Sequence, residues 1–337
     1  MELNTLLAEM TERKASDLHL VAGVPPIFRV VGALVAAKTP NLTPDDIDAL
    51  LGSALPEDKL AEARRGRDFP VTLRHEGKTF CCLVFRERSH LAVAVRLFPD
   101  RIPTMDELGL PPVFEALTRA QRGLILLAGP TGSGKTTTLV SLLEHVNMTR
   151  CERIFTIEDP MHYVLSSKLS LVTQRVVGED VESYERGLLS AMDSDPDVVL
   201  VGEIRTPETA RLVLEMAEKG HLILSQTTAE TVADALSRLL ALLGDPPDLA
   251  RRLLARTMQA IIAQKLVPTS PGYQESSGRG RVAAYEILLT TPVVRQMLGA
   301  GQTDMTAVMA SEARMGMQTM EMALSGLMGA GRIRTEG

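Results

Sequence analysis

Eight consecutive residues, Gly129-Pro130-Thr131-Gly132-Ser133-Gly134-Lys135-Thr136, fit the phosphate-loop pattern G-x-x-x-x-G-K-[ST] at every fixed position. The chemistry this spacing suits is the binding of a nucleoside triphosphate. Glycines let backbone N–H groups converge on phosphate oxygens without Cβ clashes. A helix starting at the loop adds partial positive charge. Lys135 is expected to reach the β- and γ-phosphates of ATP, and Thr136 to hold Mg²⁺, with Thr137 completing the binding set. Hydrolysis also needs a positioned water and acids near the metal. Two apolar runs end in acids: Asp197-Val198-Val199-Leu200-Val201-Gly202-Glu203 and Ile154-Phe155-Thr156-Ile157-Glu158-Asp159-Pro160. Glu203 has the layout of a Walker B acid. The plain alternative for each acid is a solvated loop carboxylate.

These residues need a sheet to carry them. The loop follows the apolar run 124–128 and precedes the helix-like run 137–143. Further strand-like runs at 153–157, 169–173, 198–201 and 221–225 alternate with helical segments, the pattern of a parallel sheet covered on both faces. Ligands bind at strand carboxyl ends in such sheets, so both acid-ended strands are expected to lie beside the phosphate-loop strand. Beyond about residue 230 the chain reads as mostly helical, with helices over 248–265 and 317–328 and a polar break over 269–280. The many methionines near the C-terminus read as helix-packing residues.

The first hundred residues have a different character. They suggest an amphipathic helix over 4–13, strands at 18–21 and 27–31 around the turn Gly23-Val24-Pro25-Pro26, and a helix start at Thr43-Pro44-Asp45-Asp46. Further strands fall at 68–73, 79–86 and 91–98. This is a small α+β domain with an antiparallel sheet. Cys81 and Cys82 read as half-buried strand residues rather than redox sensors. The expected organisation is a domain over 1–99, a proline-marked linker over 100–112, and an α/β motor domain over 113–337 with a helical C-terminal part.

Composition narrows the class. The 337 residues are 45% hydrophobic and 23% charged, ordinary for a soluble globular protein. The net charge of −6 and an aromatic content of 3% argue against a nucleic-acid platform. No run approaches the roughly 20 apolar residues of a membrane span. Three cysteines make no disulfide framework. The start Met1-Glu2-Leu3-Asn4 shows no signal peptide. The expected location is cytoplasmic, with no direct membrane insertion and no nucleic-acid partner.

Taken together, the ordered motifs resemble the secretion-superfamily (GspE-like) ATPases, and within them the PilT/PilU-like type IV pilus retraction ATPases. The resemblance runs over nearly the whole chain. Ala15-Ser16-Asp17-Leu18-His19-Leu20 looks like the N-terminal signature, and Thr156-Ile157-Glu158-Asp159-Pro160 like the Asp box. Thr173-Gln174-Arg175 stands for Asn-Gln-Arg, Gly202-Glu203-Ile204-Arg205 closes Walker B, and Gly220-His221-Leu222 opens the His box. Arg281-Val282-Ala283-Ala284-Tyr285-Glu286-Ile287 and Gly316-Met317-Gln318-Thr319-Met320 look like the C-terminal signatures. The resemblance implies a PAS-like N-terminal domain, a RecA-like P-loop motor domain and a homohexameric ring. It implies an ATP- and Mg²⁺-dependent hydrolase that powers pilus retraction and twitching motility. The implied partners are copies of itself and an inner-membrane pilus platform protein, with a second retraction ATPase as a further candidate. The ring is then cytoplasmic and peripheral at the inner membrane. The zinc-binding CxxC pairs of assembly and secretion relatives have no counterpart over 265–281, which favours the retraction branch.

The same resemblance assigns roles. Glu158 is the candidate to activate water and Glu203 the Mg²⁺-side acid, the reverse split being the alternative. Arg96 is the expected cation from the N-terminal domain, and His221 the remaining His-box histidine. Several positions depart from the family. Thr228 stands where the second histidine belongs, Cys81 and Ser89 where arginines do, and Leu189 and Asp193 where two more precede Walker B. The retraction-linked helix appears as Val293-Val294-Arg295-Gln296-Met297-Leu298-Gly299-Ala300. Nucleotide binding with slower hydrolysis is the expectation. The alternative is a degenerate paralogue that binds nucleotide and serves as an accessory or regulatory ring.

Overall fold

The computed structural model describes residues 2–30, 32–66, 68–99, 101–244 and 247–334. The chain divides into two compact units. One takes residues up to Arg101 together with Pro160–Val164 and Gly178–Asp180, and the other takes the remainder from Ile102.

In the first unit, strands β1 (Ala15–Leu20), β2 (Ile27–Val30), β3 (Ala33–Ala36), β4 (Phe69–His75), β5 (Lys78–Glu87) and β6 (His90–Leu97) form an antiparallel sheet of order β3-β2-β1-β6-β5-β4. Leu3, Leu6, Leu7 and Met10 recur at helical spacing in the helix Leu3–Glu12 and are buried. Phe80, Cys82 and Val84 alternate inward along β5 into the same core, so Cys82 is a core residue and Cys81 is half-buried. Burial pushes the Cys82 thiol up to about 12, with smaller contributions from Cys81 and Glu179. The helix Pro44–Gly52 begins with a capping box: the Thr43 hydroxyl accepts from the Asp46 amide, and the Asp46 carboxylate accepts from the Thr43 amide. Strand β3 and the helix Glu57–Arg64 have no counterpart in the sequence reading.

In the second unit, strands β7 (Gly123–Ala128), β8 (Arg153–Glu158), β9 (Leu171–Val176), β10 (Val198–Val201), β11 (Leu222–Thr227), β12 (Met258–Pro268) and β13 (Arg281–Leu289) form a sheet of order β13-β12-β7-β11-β10-β8-β9. All neighbours are parallel except β12 and β13. Every residue of β7 and β10 is buried, as continuous apolar runs in a sheet covered on both faces must be.

Two expectations are corrected here. The C-terminal part is not helical throughout the stretches expected: it also holds the strands β12 and β13. The expected helix over 248–265 stops as Pro247–Thr257, and Met258–Pro268 continues as the long strand β12. The run Ala260-Ile261-Ile262-Ala263 is apolar on both faces and is fully buried between β7 and β13. Such a run has no period that separates helix from strand. The break over 269–280 also holds a helix, Pro271–Ser277, capped by Ser270. Second, neither acid-ended strand adjoins the phosphate-loop strand. β11 lies between β7 and β10, and β8 is one strand further out.

Candidate functional site

The phosphate loop leaves β7 at Ala128 and enters the helix Lys135–Thr149, for which Gly134 is the N-cap in the left-handed region at φ +88°. That conformation favours glycine. Gly129 is constrained from outside. A Cβ there would overlap the backbone oxygen of Gln264 on β12 and lie 2.6 Å from Ser133 Oγ. A Cβ on Gly134 would lie 2.9 Å from Gln264 Nε2. The loop backbone is therefore packed as closely as it can be against β12.

Lys135 folds back over this loop. Its Nζ donates to the carbonyl oxygens of Gly129 (2.7 Å) and Pro130 (3.0 Å). Burial pulls its pKa down, and Glu203 opposes the shift. A buried ammonium held by two loop carbonyls is a cation awaiting an anionic partner. Ser133 Oγ is buried without a hydrogen-bond partner. Together with the glycine cradle, these features fit a polyphosphate. The Thr136 hydroxyl donates to Gln226 Oε1 at the end of β11, at 3.3 Å.

The acids sit on the same edge of the sheet. Glu158 ends β8 and is 2% exposed; its Oε1 accepts from Thr156 Oγ1 (2.8 Å) and Gln174 Nε2 (3.3 Å). Just beyond β10, Glu203 accepts from Arg205 Nε on one oxygen (2.9 Å) and from Thr228 Oγ1 on the other (2.8 Å). Thr228 thus supplies a hydroxyl donor to Glu203. Tyr184 lies within this cluster. Burial pushes its phenol up, Asp159 reinforces the shift, and Arg205 opposes it. Its hydroxyl would meet a Cβ on Gly202 at 2.6 Å, so a larger residue before Glu203 would displace Tyr184.

Helix packing holds this edge in place. Glu185 accepts from Thr209 Oγ1 (2.6 Å) and Thr206 Oγ1 (2.8 Å), tying the helix Tyr184–Met192 to the start of the helix Pro207–Lys219. Burial pushes the Glu185 carboxyl up. Hydrogen bonds from Thr209, its own amide, Thr206 and Ser183 outweigh it and bring the pKa down to about 2 from an ordinary 4.5. A depressed carboxyl stabilises the fold above its unfolded pKa and loses that contribution as pH falls through the folded value. Thermal melts from pH 5 downward are expected to show Glu185→Gln losing less stability than wild type between about 4.5 and about 2. Parallel acid limbs would refute this role.

Two candidate site residues are not brought to this edge within the unit. His221 immediately precedes β11, and Leu222 pairs with Gly123 and Val198 at the starts of β7 and β10. At about 3.3 Å per residue, His221 lies roughly 20 Å along the strand from Thr228. Its Nδ1 contacts the Pro196 carbonyl at 2.6 Å. Within one chain His221 therefore stands at the opposite end of β11 from Thr228. Arg96 belongs to the N-terminal unit, on β6, where its Nε donates to Asp17 Oδ1 at 2.9 Å. Sequence reasoning missed Gln174, Tyr184, Gln226 and Gln264 as site residues.

A family model described as type II/IV secretion system protein matches residues 2–332, and the chain belongs to that family. Its motor unit has the family's RecA-like P-loop α/β fold. The type IV pilus retraction ATPase PilT of Pseudomonas aeruginosa is 34% identical over 339 residues, an overlap of 100% of this chain and 96% of that one. The type IV pilus ATPase PilU of the same organism is 32% identical over 342 residues, 100% and 87% of the two chains. A crystal structure of the pilus retraction motor PilT with bound ADP superposes with a TM-score of 0.87 at 36% identity, over 99% of this chain and 95% of that one.

Proposed function

We propose that this chain is an ATP-hydrolysing motor of the pilus-retraction kind, acting as a homohexameric ring that drives retraction and twitching motility. The observation that carries the reading is one sheet edge holding the phosphate loop, Glu158 and Glu203, in a chain similar from end to end to PilT. Residues Gly129, Pro130, Thr131, Gly132, Ser133, Gly134, Lys135, Thr136 and Thr137 bind the ATP phosphates. Thr136 and Glu203 would hold Mg²⁺, which when bound would offset phosphate charge. Glu158 takes the proton of the attacking water.

The N-terminal residues 1–99 act as a PAS-like domain joined by a linker over 100–112 to the motor domain, and Arg96 is its cation for the phosphates. Among the described residues no helix is long and apolar enough to cross a membrane. The ring works in the cytoplasm against an inner-membrane platform protein, with a second retraction ATPase as a candidate co-worker. The test is Mg²⁺-dependent ATP turnover by a protein whose mass by light scattering is six chains. A monomer without turnover would overturn the reading.

The substitution of threonine at 228 favours a second reading, a nucleotide-binding accessory ring with weak hydrolysis. Thr228→His separates the two. Because Thr228 already supplies a donor to Glu203, the working-motor reading expects no gain in kcat. A gain of about tenfold, worth about 1.4 kcal/mol of barrier, would mark the native site as degenerate.

A further inference from the structure

Gln264 is a polar residue inside an apolar strand, 3% exposed, on β12 beside the phosphate-loop strand. A buried amide in such a place needs hydrogen-bond partners at both its ends. Its Nε2 donates to the Ser133 carbonyl at 2.7 Å, and its Oε1 accepts from the Thr138 hydroxyl at 2.9 Å. The orientation is forced, because the Ser133 carbonyl can only accept. Ser133 lies in the loop and Thr138 in the first turn of the helix that follows. One side chain therefore bridges the two halves of the phosphate cradle. The same residue supplies the atoms that exclude a Cβ from Gly129 and Gly134. Behind it stands Tyr285, its register partner on β13, whose hydroxyl is hydrogen-bonded to Thr138 and whose pKa burial pushes up to about 12.

We propose that Gln264 is the positioning residue of the phosphate loop: its amide fixes the Ser133 peptide so that the loop N–H groups point at the β-phosphate before nucleotide arrives. This inference rests on the nucleotide-binding reading and deepens it. A loop with fixed amides spends no binding energy on ordering itself. Without the clamp, ADP must supply that ordering, and affinity falls.

The test compares MgADP binding by titration calorimetry with the melting temperature of the nucleotide-free protein. Gln264→Met keeps the volume and removes both hydrogen bonds. The expected result is a rise of about tenfold in the ADP dissociation constant. Thr138→Val keeps the amide and its bond to Ser133 but removes the donor to Oε1, and is expected to cost about threefold. A purely structural Gln264 would lower the nucleotide-free melting temperature and leave ADP affinity within twofold, which overturns the proposal. Should Gln264→Met not fold, the Thr138→Val result decides alone, with affinity within 1.5-fold of wild type counting against the clamp. Wild-type protein that fails to bind MgADP would instead remove the nucleotide-binding reading beneath it.

Discussion

Lys135→Ala is expected to abolish ATP turnover, with kcat falling about 10³-fold or more, while the protein stays folded. The loss follows from what the ammonium is placed to do. It is buried against the loop, yet its hydrogen-bond partners are two neutral carbonyls, those of Gly129 and Pro130. Neutral acceptors do not neutralise a desolvated cation, so the resting protein holds Lys135 at a cost that a phosphate would relieve. Its depressed pKa has the same origin, with burial the leading cause. Stabilising charge that develops on transferring phosphoryl oxygens is the largest single contribution such a site makes. A 10³-fold loss corresponds to about 4 kcal/mol of barrier. Removing an unneutralised buried charge is not expected to destabilise the nucleotide-free chain, so its melting temperature should stay within about 4 °C of wild type. Steady-state phosphate release and thermal melts on the same preparation check both halves. Turnover persisting in the folded variant would sink the assignment of the site.

The phosphate loop was legible because its chemistry is local. Glycine at 129 and 134, lysine at 135 and threonine at 136 fall within one loop and helix start, and the pattern specifies them in order. Glu158 and Glu203 were legible for a related reason: each ends an apolar run, and in a parallel sheet strand ends share an edge. The same rule gives His221 its place: a residue that precedes a strand lies at the opposite edge of the chain's own sheet from one that follows it. Strand order was not legible. Nothing in the runs at 153–157 and 198–201 says that β11 comes between β10 and the loop strand. Gln264 was hidden twice over, by a run without period and by the helix that the run resembled. Its role depends on two contacts far away in sequence, Ser133 and Thr138, and only folding brings them together. Thr228 is a case between these. Its departure from the family pattern was plain, but that its hydroxyl meets Glu203 follows only from the pairing of β10 with β11.

Glu158→Gln should separate chemistry from binding. Thr156 and Gln174 both direct their donors to Oε1, and the carboxylate is 2% exposed at the end of β8, between β10 and β9. Two donors on one oxygen fix the plane of the group, which a general base needs if its acceptor oxygen is to meet a water at hydrogen-bond distance. Glutamine keeps the shape and leaves an oxygen for the same donors, but it cannot take a proton. General-base assistance is worth about 10²–10⁴-fold, so kcat is expected to fall by that factor. The ADP dissociation constant, set by the loop and not by this acid, should move by less than about threefold. Glu203→Gln is the necessary companion, since Arg205 and Thr228 hold that carboxylate where Mg²⁺ is proposed to bind. Its loss should raise the Mg²⁺ concentration needed for half-maximal turnover, which Glu158→Gln leaves alone. Turnover within fivefold of wild type in Glu158→Gln, with the large loss of kcat in Glu203→Gln instead, would exchange the two roles. The two acids lie on strands that pair directly, Val201 beside Ile157, so the geometry admits either division and the metal dependence decides it.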